Sequence, residues 1–243
     1  MNIVEYNRME QHEKTYWWHV GRLQIIEKEL IRQIGDKRPL KILNIGCGTG
    51  GTVRMLENFG EVVNVDASDE AIKYMKKNGF KNSIKVEGIN LPFETATFDM
   101  ICAFDVLEHI DKDIEAMQEW RRVVKPGGKI VLTVPAYQWL WSGHDESLHH
   151  YRRYTAKHLR GIAQTVDLRP LKLTYAIVFS FVLVVGFRLL TKISGKQTTE
   201  ESSYIELPSA VNKLFTKLLF VEADLHKFMK LPFGTSVLAV LKK

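Results

Sequence analysis

The sequence predicts an α/β protein whose strands form a parallel sheet, and three observations predict it. Short β-rich runs alternate with helix-length segments from residue 41 to residue 166, which implies right-handed crossovers between parallel strands. The run at 98–104 is mostly apolar, as expected of a strand covered on both faces. Two later β-rich runs, at 171–178 and 235–241, bring the predicted number of strands to seven.

The individual elements follow from hydrophobic spacing and from breaker residues. Leu23, Ile26, Leu30 and Ile34 recur every three or four residues and predict a helix within the first 35 residues. The first five strands are predicted at 41–45, 62–66, 83–87, 98–104 and 129–135. Helices are predicted from the first turn to residue 59, at 69–78, at 111–125 up to the breaker Pro126-Gly127-Gly128, and after the cap Thr155 to about residue 166.

Composition limits the class of protein. The 243 residues carry a net charge of +6, which favours anionic partners without selecting among them. Two cysteines cannot form a disulfide framework, and the polar first 14 residues lack the apolar core of a signal peptide, so we expect a cytoplasmic protein. The uncharged run at 173–187 is shorter than the roughly 20 residues of a spanning helix, and we interpret it as non-spanning.

About fifty residues separate the last two strands, too many for a plain hairpin, and predict a helical insertion at about 179–232. The segment at 195–203 is expected to form a mobile loop. Apolar residues at helical spacing predict an apolar stripe along an inserted helix, with Lys213, Lys217 and Lys227 elsewhere around it. The apolar residues are Val211, Leu214, Phe215, Leu218, Val221, Leu225 and Phe228.

The sharpest functional signal is a glycine-rich turn directly after the first strand, at 44–50. Gly46, Gly48 and Gly50 let the backbone turn tightly and approach a ligand. Asp66 ends the second strand, where a carboxylate can accept hydrogen bonds from both ribose hydroxyls of a nucleoside. The turn departs from the dinucleotide pattern G-x-G-x-x-G, which favours S-adenosylmethionine (SAM) over NAD.

Four segments in order resemble the motifs of class I SAM-dependent methyltransferases: ILNIGCGTGG, VNVDAS, LPFETATFDMICAFDVLEHI and RRVVKPGGKIVLTVPAY. The resemblance covers about residues 38–166. It implies a Rossmann-like, three-layer α/β/α fold with a seven-stranded, mostly parallel sheet and an antiparallel last strand, formed by residues 36–243. It also implies SAM as cofactor and S-adenosylhomocysteine (SAH) as product.

The resemblance also assigns the cofactor-binding residues. The glycine turn, including Cys47, lines the methionine moiety, and Asp66 with the neighbouring Ala67 holds the ribose. Asn90 and Leu91 flank the adenine, and Asp105 faces the sulfonium and the acceptor. Many relatives carry Asp where this chain has Asn44, so weaker binding of the methionine ammonium group is expected, because the amide lacks the charge.

The segment Tyr16-Trp17-Trp18-His19-Val20-Gly21-Arg22 resembles the opening helix of a bacterial and archaeal subgroup. There, an aromatic and arginine cluster closes over the cofactor, which predicts that residues 1–35 form lid helices and that Trp18 and Arg22 bind the cofactor. The alternative is that Trp17 and Trp18 are core anchors.

Two segments can supply acceptor chemistry. The first, at 105–109, resembles the acidic-x-x-Glu-His element of metal-dependent O-methyltransferases, in which Mg²⁺ or Mn²⁺ binds the acceptor. Carried over, the ligands would be Asp105, Glu108 and His109, with His150 as a fourth. The preferred alternative is metal-free, with Glu108 and His109 shaping the pocket.

The second segment spans 144–154 and is rich in histidine and arginine. His109, His144 and His150 are candidate catalytic residues, the last two as general bases because imidazole titrates near neutrality. We expect Asp145, Arg152, Arg153 and Tyr154 to bind the acceptor, the arginines through a phosphate or carboxylate. The alternative for the arginines is pairing with Glu146 and Asp145.

The whole-chain pattern, including the closing segment at 231–236, resembles methyltransferases associated with cell-surface glycan and glycolipid synthesis. This resemblance implies O-methylation of a glycan, glycolipid or other lipid-like acceptor by a protein with possible peripheral contact at the inner face of the membrane. The apolar run and the lysine-bearing helix after it favour a small-molecule or lipid-linked acceptor, and no DNA partner is expected. Two alternatives remain: a metal-dependent RNA or small-molecule O-methyltransferase, and a non-catalytic SAM-binding accessory subunit.

Overall fold

The computed structural model describes residues 3–35, 39–183, 185–186 and 207–243. Seven strands form one sheet in the order β3-β2-β1-β4-β5-β7-β6, and neighbours among β1–β5 pair in parallel. β7 lies antiparallel to both β5 and β6, so the predicted fold class is confirmed. The strands are β1 Leu40–Ile45, β2 Gly60–Asp66, β3 Ser83–Lys85, β4 Phe98–Phe104, β5 Val124–Pro135, β6 Arg169–Ala176 and β7 Ser236–Lys242.

Helices cover both faces of this sheet. They are α1 Ile3–His12, α2 Trp17–Ile34, α3 Val53–Glu57, α4 Asp69–Lys77, α5 Asp113–Val123, α6 Gly143–Ser147, α7 Ala156–Thr165 and α8 Ser209–Leu225. Thr155 caps α7 by accepting a hydrogen bond from the backbone N–H of His158, as the sequence predicts. Several boundaries shift by a few residues, and the largest change is at β5: α5 ends at Val123, and β5 already includes Pro126-Gly127-Gly128. Glycine is needed here because a Cβ on Gly128 would lie 2.8 Å from the carbonyl oxygen of Asp99.

Two apolar layers hold the helices on the sheet. On one face, Trp120 of α5 and Leu159 of α7 pack against strand residues such as Leu43 and Ile101. On the other face, Ile26 of α2 and Leu219 of α8 join strand residues including Ile42. Each layer is continuous across several strands, and its burial is the main source of stability.

The inserted helix α8 packs on α2 at close range. A Cβ on Gly21 would lie 2.2 Å from Cδ1 of Leu219, so only glycine lets the two helices approach this closely. The Lys28 ammonium donates to Asp224 at 2.5 Å, and the Arg32 guanidinium donates to the carbonyl of Ala223 at 2.7 Å. The insertion is therefore fixed to the N-terminal part of the chain.

The apolar stripe predicted for this helix lies mostly on its exposed side. Leu214, Val221, Leu225 and Phe228 are exposed, Phe228 to 77%, whereas the buried residues are Leu219, Glu222 and Ala223. Glu222 faces inward because its carboxylate accepts hydrogen bonds from the backbone N–H groups of Ile177 and Val178, at 2.5 and 2.9 Å. The predicted loop at 195–203 and positions 184 and 187 of the 173–187 run lie outside the described residues.

The apolar run at 173–187 raised the question of a helix that spans a membrane. Among the helices of the described residues, none combines the length and the apolar character needed to cross a bilayer.

Candidate active site

The glycine-rich turn after β1 has the backbone that the sequence predicts. Gly46, Gly48 and Gly50 have φ angles of +71°, +52° and +98°, a region that side chains with a Cβ rarely adopt. Space is also short, because a Cβ on Gly46 would lie 2.3 Å from Cγ2 of Val106. Cys47, between the glycines, is buried, and burial raises the pKa of its thiol.

Asp66, at the end of β2, lies against this turn. Its carboxylate accepts hydrogen bonds from the backbone N–H of Gly48 at 3.0 Å and from that of Ser68 at 2.9 Å. Burial raises the pKa of Asp66, opposed by these N–H donors. The structure thus brings together the two elements that the sequence predicts to bind one nucleoside.

Helix α1 covers the turn from above. Met9 lies so close to Gly48 that a Cβ atom added to Gly48 would be 2.9 Å from the Cε atom of Met9. The ring of Tyr6 is buried and stacks on Tyr74 of α4 at 5.7 Å, and the Tyr74 hydroxyl donates to the side chain of Asn7. Residues of α1 therefore lie where a lid over the cofactor would lie.

Asn44 is buried beneath the turn. Its amide donates a 3.0 Å hydrogen bond to the side-chain oxygen of Asn64 on the neighbouring strand β2. Asn64 in turn donates to the carbonyl of Asn82 at 3.3 Å. The amide of Asn44 is thus engaged within the sheet, and the prediction that it contacts the cofactor has no direct support.

The predicted adenine and ribose neighbours differ in exposure. Ala67 and Asn90 are exposed, while Leu91 is buried in the apolar layer beside α5. The backbone N–H of Leu91 donates to Glu119 at 2.8 Å, and Arg122 donates to its carbonyl at 3.2 Å. Two charged residues of α5 therefore fix the segment after β3.

The aromatic and arginine cluster of α2 reaches the end of β4. The Arg22 guanidinium lies 4.8 Å from the centre of the Trp18 ring and forms a salt bridge with Asp105. Asp105 has a φ angle of +57° and also accepts a 3.2 Å hydrogen bond from the Thr133 hydroxyl of β5. Trp18 packs against the apolar layer at the same time, as the core-anchor interpretation predicts, and its role in a lid over the cofactor stays a prediction.

Three of the four predicted metal ligands lie together. Ligand atoms of Glu108, His109 and His150 are all within 4.8 Å of one another. Glu108 is buried, and its Oε2 atom has no hydrogen-bond partner among the described residues; burial raises the pKa of Glu108 to about 8. Burial and the neighbouring His150 lower the pKa of His109 to about 4. Asp105 is outside this group and pairs with Arg22 instead.

The acceptor-binding role predicted for four residues of the second segment is not supported. Asp145 is completely buried and binds Arg153 through two hydrogen bonds of 2.7 and 2.9 Å. Arg152 donates to the carbonyl of Asp111 at 2.7 Å and lies 2.8 Å from Asp113. Tyr154 is also fully buried, and its hydroxyl lies 3.1 Å from Asp113. Internal ion pairs therefore account for these side chains.

The two candidate general bases, His144 and His150, have different surroundings. His150 is held by Asp145, with Nδ1 2.9 Å from Oδ1, and its ring contacts that of His109 at 4.6 Å between centres. His144 lies on the exposed side of the short helix α6, outside the group of Glu108, His109 and His150. This geometry favours His150 over His144 as a base.

One residue at the glycine turn was missed. Glu13, between α1 and α2, accepts a hydrogen bond from the Thr49 hydroxyl. Nothing in its local sequence distinguishes it from other charged residues near the N-terminus, and only the folded position of α1 brings it to the turn.

Comparison with known proteins agrees with this site. A family model described as "Methyltransferase domain" matches residues 43–132. The demethylmenaquinone methyltransferase of Staphylococcus aureus is 26% identical over 209 residues, covering 83% of this chain and 74% of its own length. The ubiquinone biosynthesis O-methyltransferase of Schizosaccharomyces pombe is 30% identical over 155 residues, 55% of each chain. Other curated relatives match over 31% to 45% of their length.

Solved structures show the same fold. A SAM-dependent methyltransferase from Archaeoglobus fulgidus superposes with a TM-score of 0.61 over 97% of this chain and 99% of its own, at 17% identity. The strand order, the glycine turn joined to Asp66 and the family match together define a class I SAM-dependent methyltransferase domain. Residues 43–132 match this family, whose cofactor is SAM.

Proposed function

We propose that this protein transfers the methyl group of SAM to an oxygen atom of a glycan, glycolipid or other lipid-like acceptor. The cofactor side rests on the contact between Gly48 and Asp66. With both oxygens directed at the turn and at Ser68, Asp66 is positioned to accept hydrogen bonds from ribose hydroxyls. The glycines leave room for the backbone to approach the methionine moiety.

Bound SAM supplies an electrophilic methyl group, which an acceptor oxygen attacks in line, with SAH as leaving group. The protein's contribution is alignment, exclusion of water and removal of the acceptor proton. His150 suits proton removal because Asp145 orients its ring through Nδ1, the arrangement that fixes a catalytic imidazole. Trp18 and Arg22, next to Asp105, are placed to shield the reacting atoms.

The observation that carries the acceptor class is the apolar surface of the insertion. Val182 and Leu183, in the segment after β6, are 69% and 58% exposed, and the outer side of α8 adds Leu214 and Val221, with Phe228 in the turn after the helix. Monomeric proteins rarely expose so many large apolar side chains without a binding role. Lysines 213, 217, 227 and 230 lie among them and suit an anionic lipid or a phosphate-bearing headgroup.

Contacts connect this surface to the cofactor side. Trp17, beside Trp18, packs edge-to-face on Phe215 of α8 at 5.2 Å, and both border a small cleft with Phe179. A lipid-like acceptor held on the apolar surface would therefore have its polar end near Arg22 and Asp105. This arrangement supports peripheral contact with the inner face of an anionic membrane.

A second candidate function, O-methylation assisted by a divalent cation, is favoured by one observation. Among the described residues, one carboxylate oxygen of Glu108 has no hydrogen-bond partner, and it faces two imidazoles. This mixed ligand set can hold Mn²⁺ or Mg²⁺, but it is less selective for them than an all-oxygen set, because imidazole also suits other transition metals. Glu108, His109 and His150 would hold the ion, which would polarise an acceptor hydroxyl. Asp145 would then orient His150 as a ligand.

The test of the proposed function combines binding and transfer. The protein is titrated with SAM by calorimetry and then incubated with methyl-labelled SAM and polyprenyl-phosphate sugars, free glycans, quinols or RNA, with and without EDTA. Label in an organic-soluble, EDTA-resistant product supports the lipid-like acceptor, and EDTA-sensitive labelling supports the second candidate. Labelling of RNA alone refutes the proposal, and SAM binding without any transfer supports an accessory subunit.

A further inference from the structure

Glu13 lies directly on the glycine turn. Its carboxylate accepts hydrogen bonds from the Thr49 hydroxyl and from the backbone N–H of Gly51. The approach is close, because a Cβ on Gly51 would lie 2.5 Å from Cδ of Glu13. Position 51 must therefore be glycine, because any side chain there would clash with the side chain of Glu13.

The surroundings of Glu13 leave its charge incompletely balanced. Burial raises the pKa of Glu13, and the hydrogen bond from Thr49, the charge of Arg22 and the N–H of Gly51 oppose this without cancelling it. Glu10 adds a like charge nearby. A further cation at this position would favour the ionised carboxylate.

SAM brings such a cation. Its methionine moiety ends in an ammonium group, which needs an anionic or carbonyl acceptor when it leaves water. Two carboxylates hydrogen-bond to the turn, Asp66 and Glu13. Both oxygens of Asp66 already accept hydrogen bonds from backbone N–H groups, those of Gly48 and Ser68, and Asp105 pairs with Arg22. Asn44 is neutral and its amide is bonded to Asn64.

We propose that Glu13 binds the ammonium group of the methionine moiety of SAM and supplies the negative charge that Asn44 lacks. The inference rests on the proposed function, because it needs SAM or SAH at the glycine turn. It also gives α1 a function: since Glu13 directly follows this helix, binding of the amino acid end fixes α1 over the turn.

The test compares two ligands that differ in the amino acid end. SAH carries the ammonium group, and 5′-methylthioadenosine carries the same nucleoside without it. Calorimetry is carried out on the unaltered protein, on Glu13→Gln and on the control Glu10→Gln. Glu10 is on α1 and pairs with Lys77 of α4, so this control removes a nearby negative charge whose hydrogen bonds to Lys77 do not involve the glycine turn. Thermal unfolding of each variant without ligand shows whether it is folded.

Glu13→Gln is expected to weaken SAH binding at least about 30-fold, as for loss of one partner of a buried charge pair, and to leave methylthioadenosine binding unchanged. Glu10→Gln should change neither. Equal losses for both ligands in a folded Glu13→Gln protein would show that Glu13 only shapes the turn, and an unchanged SAH affinity would refute the proposal outright. Failure of the unaltered protein to bind SAH would instead refute the proposed function.

Discussion

The backbone N–H of Gly48 donates a 3.0 Å hydrogen bond to the carboxylate of Asp66, which joins the turn after β1 to the tip of β2. A backbone donor and a side-chain acceptor from adjacent parallel strands thus meet at the carboxyl edge of the sheet, where α/β proteins bind ligands. Both partners have a second task in the proposed site, since Gly48 must keep a positive φ and Asp66 must receive the ribose.

We expect Asp66→Ala and Gly48→Trp to abolish measurable SAM binding. The first removes the ribose acceptor, and the second places a large side chain on a backbone with a φ angle of +52° beneath Met9. Gly161→Trp is the control, because Gly161 is exposed and a Cβ there meets nothing within 4 Å. Calorimetric titration checks this, and unchanged affinity in both site variants would contradict the site assignment.

We expect the group of Glu108, His109 and His150 to bind Mn²⁺ if the second candidate function holds. Removing one ligand with Glu108→Gln or His150→Ala should weaken binding by more than the roughly 10- to 100-fold that loss of an outer-shell partner costs, as measured by electron paramagnetic resonance of free Mn²⁺. His144→Ala is the matched control, since His144 is in the same segment but outside the group. Equal Mn²⁺ binding by all these proteins would place the ion elsewhere.

We expect Glu29→Gln to destabilise the fold at neutral pH. Glu29 is 1% exposed and accepts a 2.7 Å hydrogen bond from Lys172 of β6. Burial raises its pKa, but the hydrogen bonds from Lys172 and Gln33 outweigh burial, so the net pKa is lowered. Breaking such a pair should cost about 3 kcal/mol in the free energy of unfolding.

The pH dependence of that cost follows from the lowered pKa. The ionised Glu29 stabilises the fold above its unfolded pKa of about 4.3, and this stabilisation is lost as the pH falls through the folded value. Urea unfolding should therefore show a large difference between the two proteins at pH 7 and a smaller one below about pH 4. Glu115→Gln, in an exposed pair with Lys112, should have little effect at either pH. A difference that is independent of pH would argue against the ion pair.

We expect the protein to float with vesicles containing anionic phospholipid and to be released by high salt. Replacing Leu214, Val221 and Phe228 with Gln should abolish flotation, and Lys213→Glu with Lys217→Glu should weaken it by at least about 1 kcal/mol for each lysine. Ile114→Gln controls for loss of an exposed apolar residue, since Ile114 is on α5, across the sheet. Flotation that survives in the triple variant would show that α8 is not the membrane-contacting element.

The sheet could be predicted from the sequence because its signals are local. Apolar runs marked the strands, and the three glycines with positive φ were needed by the backbone whatever surrounds them. The inner face of α8 could not be predicted from hydrophobicity. Glu222 is buried because two backbone N–H groups at the end of β6, 44 and 45 residues earlier, need an acceptor.

The residues of the acceptor side were also harder to predict, because their contacts come from parts of the chain that a local pattern does not show. Asp145 and Arg153 look like binding residues in a polar segment, but each satisfies the other at 0% and 8% side-chain exposure. Conversely, Glu13 reaches the turn only because α1 folds back across it. Charged residues reveal their partners only in the folded chain, so their roles were the least predictable part of the site.

The position of β7 between β5 and β6 has a consequence for biosynthesis. In the described sheet β6 pairs with β7 and with no other strand, so it has no partner until residues 236–242 have left the ribosome. Strands β1 to β5 can assemble while translation continues. The edge strand β6, with α7 packed on it, can join the sheet only after β7 has been synthesised. Nascent chains stalled before residue 236 should therefore expose β6 to chaperones and proteases.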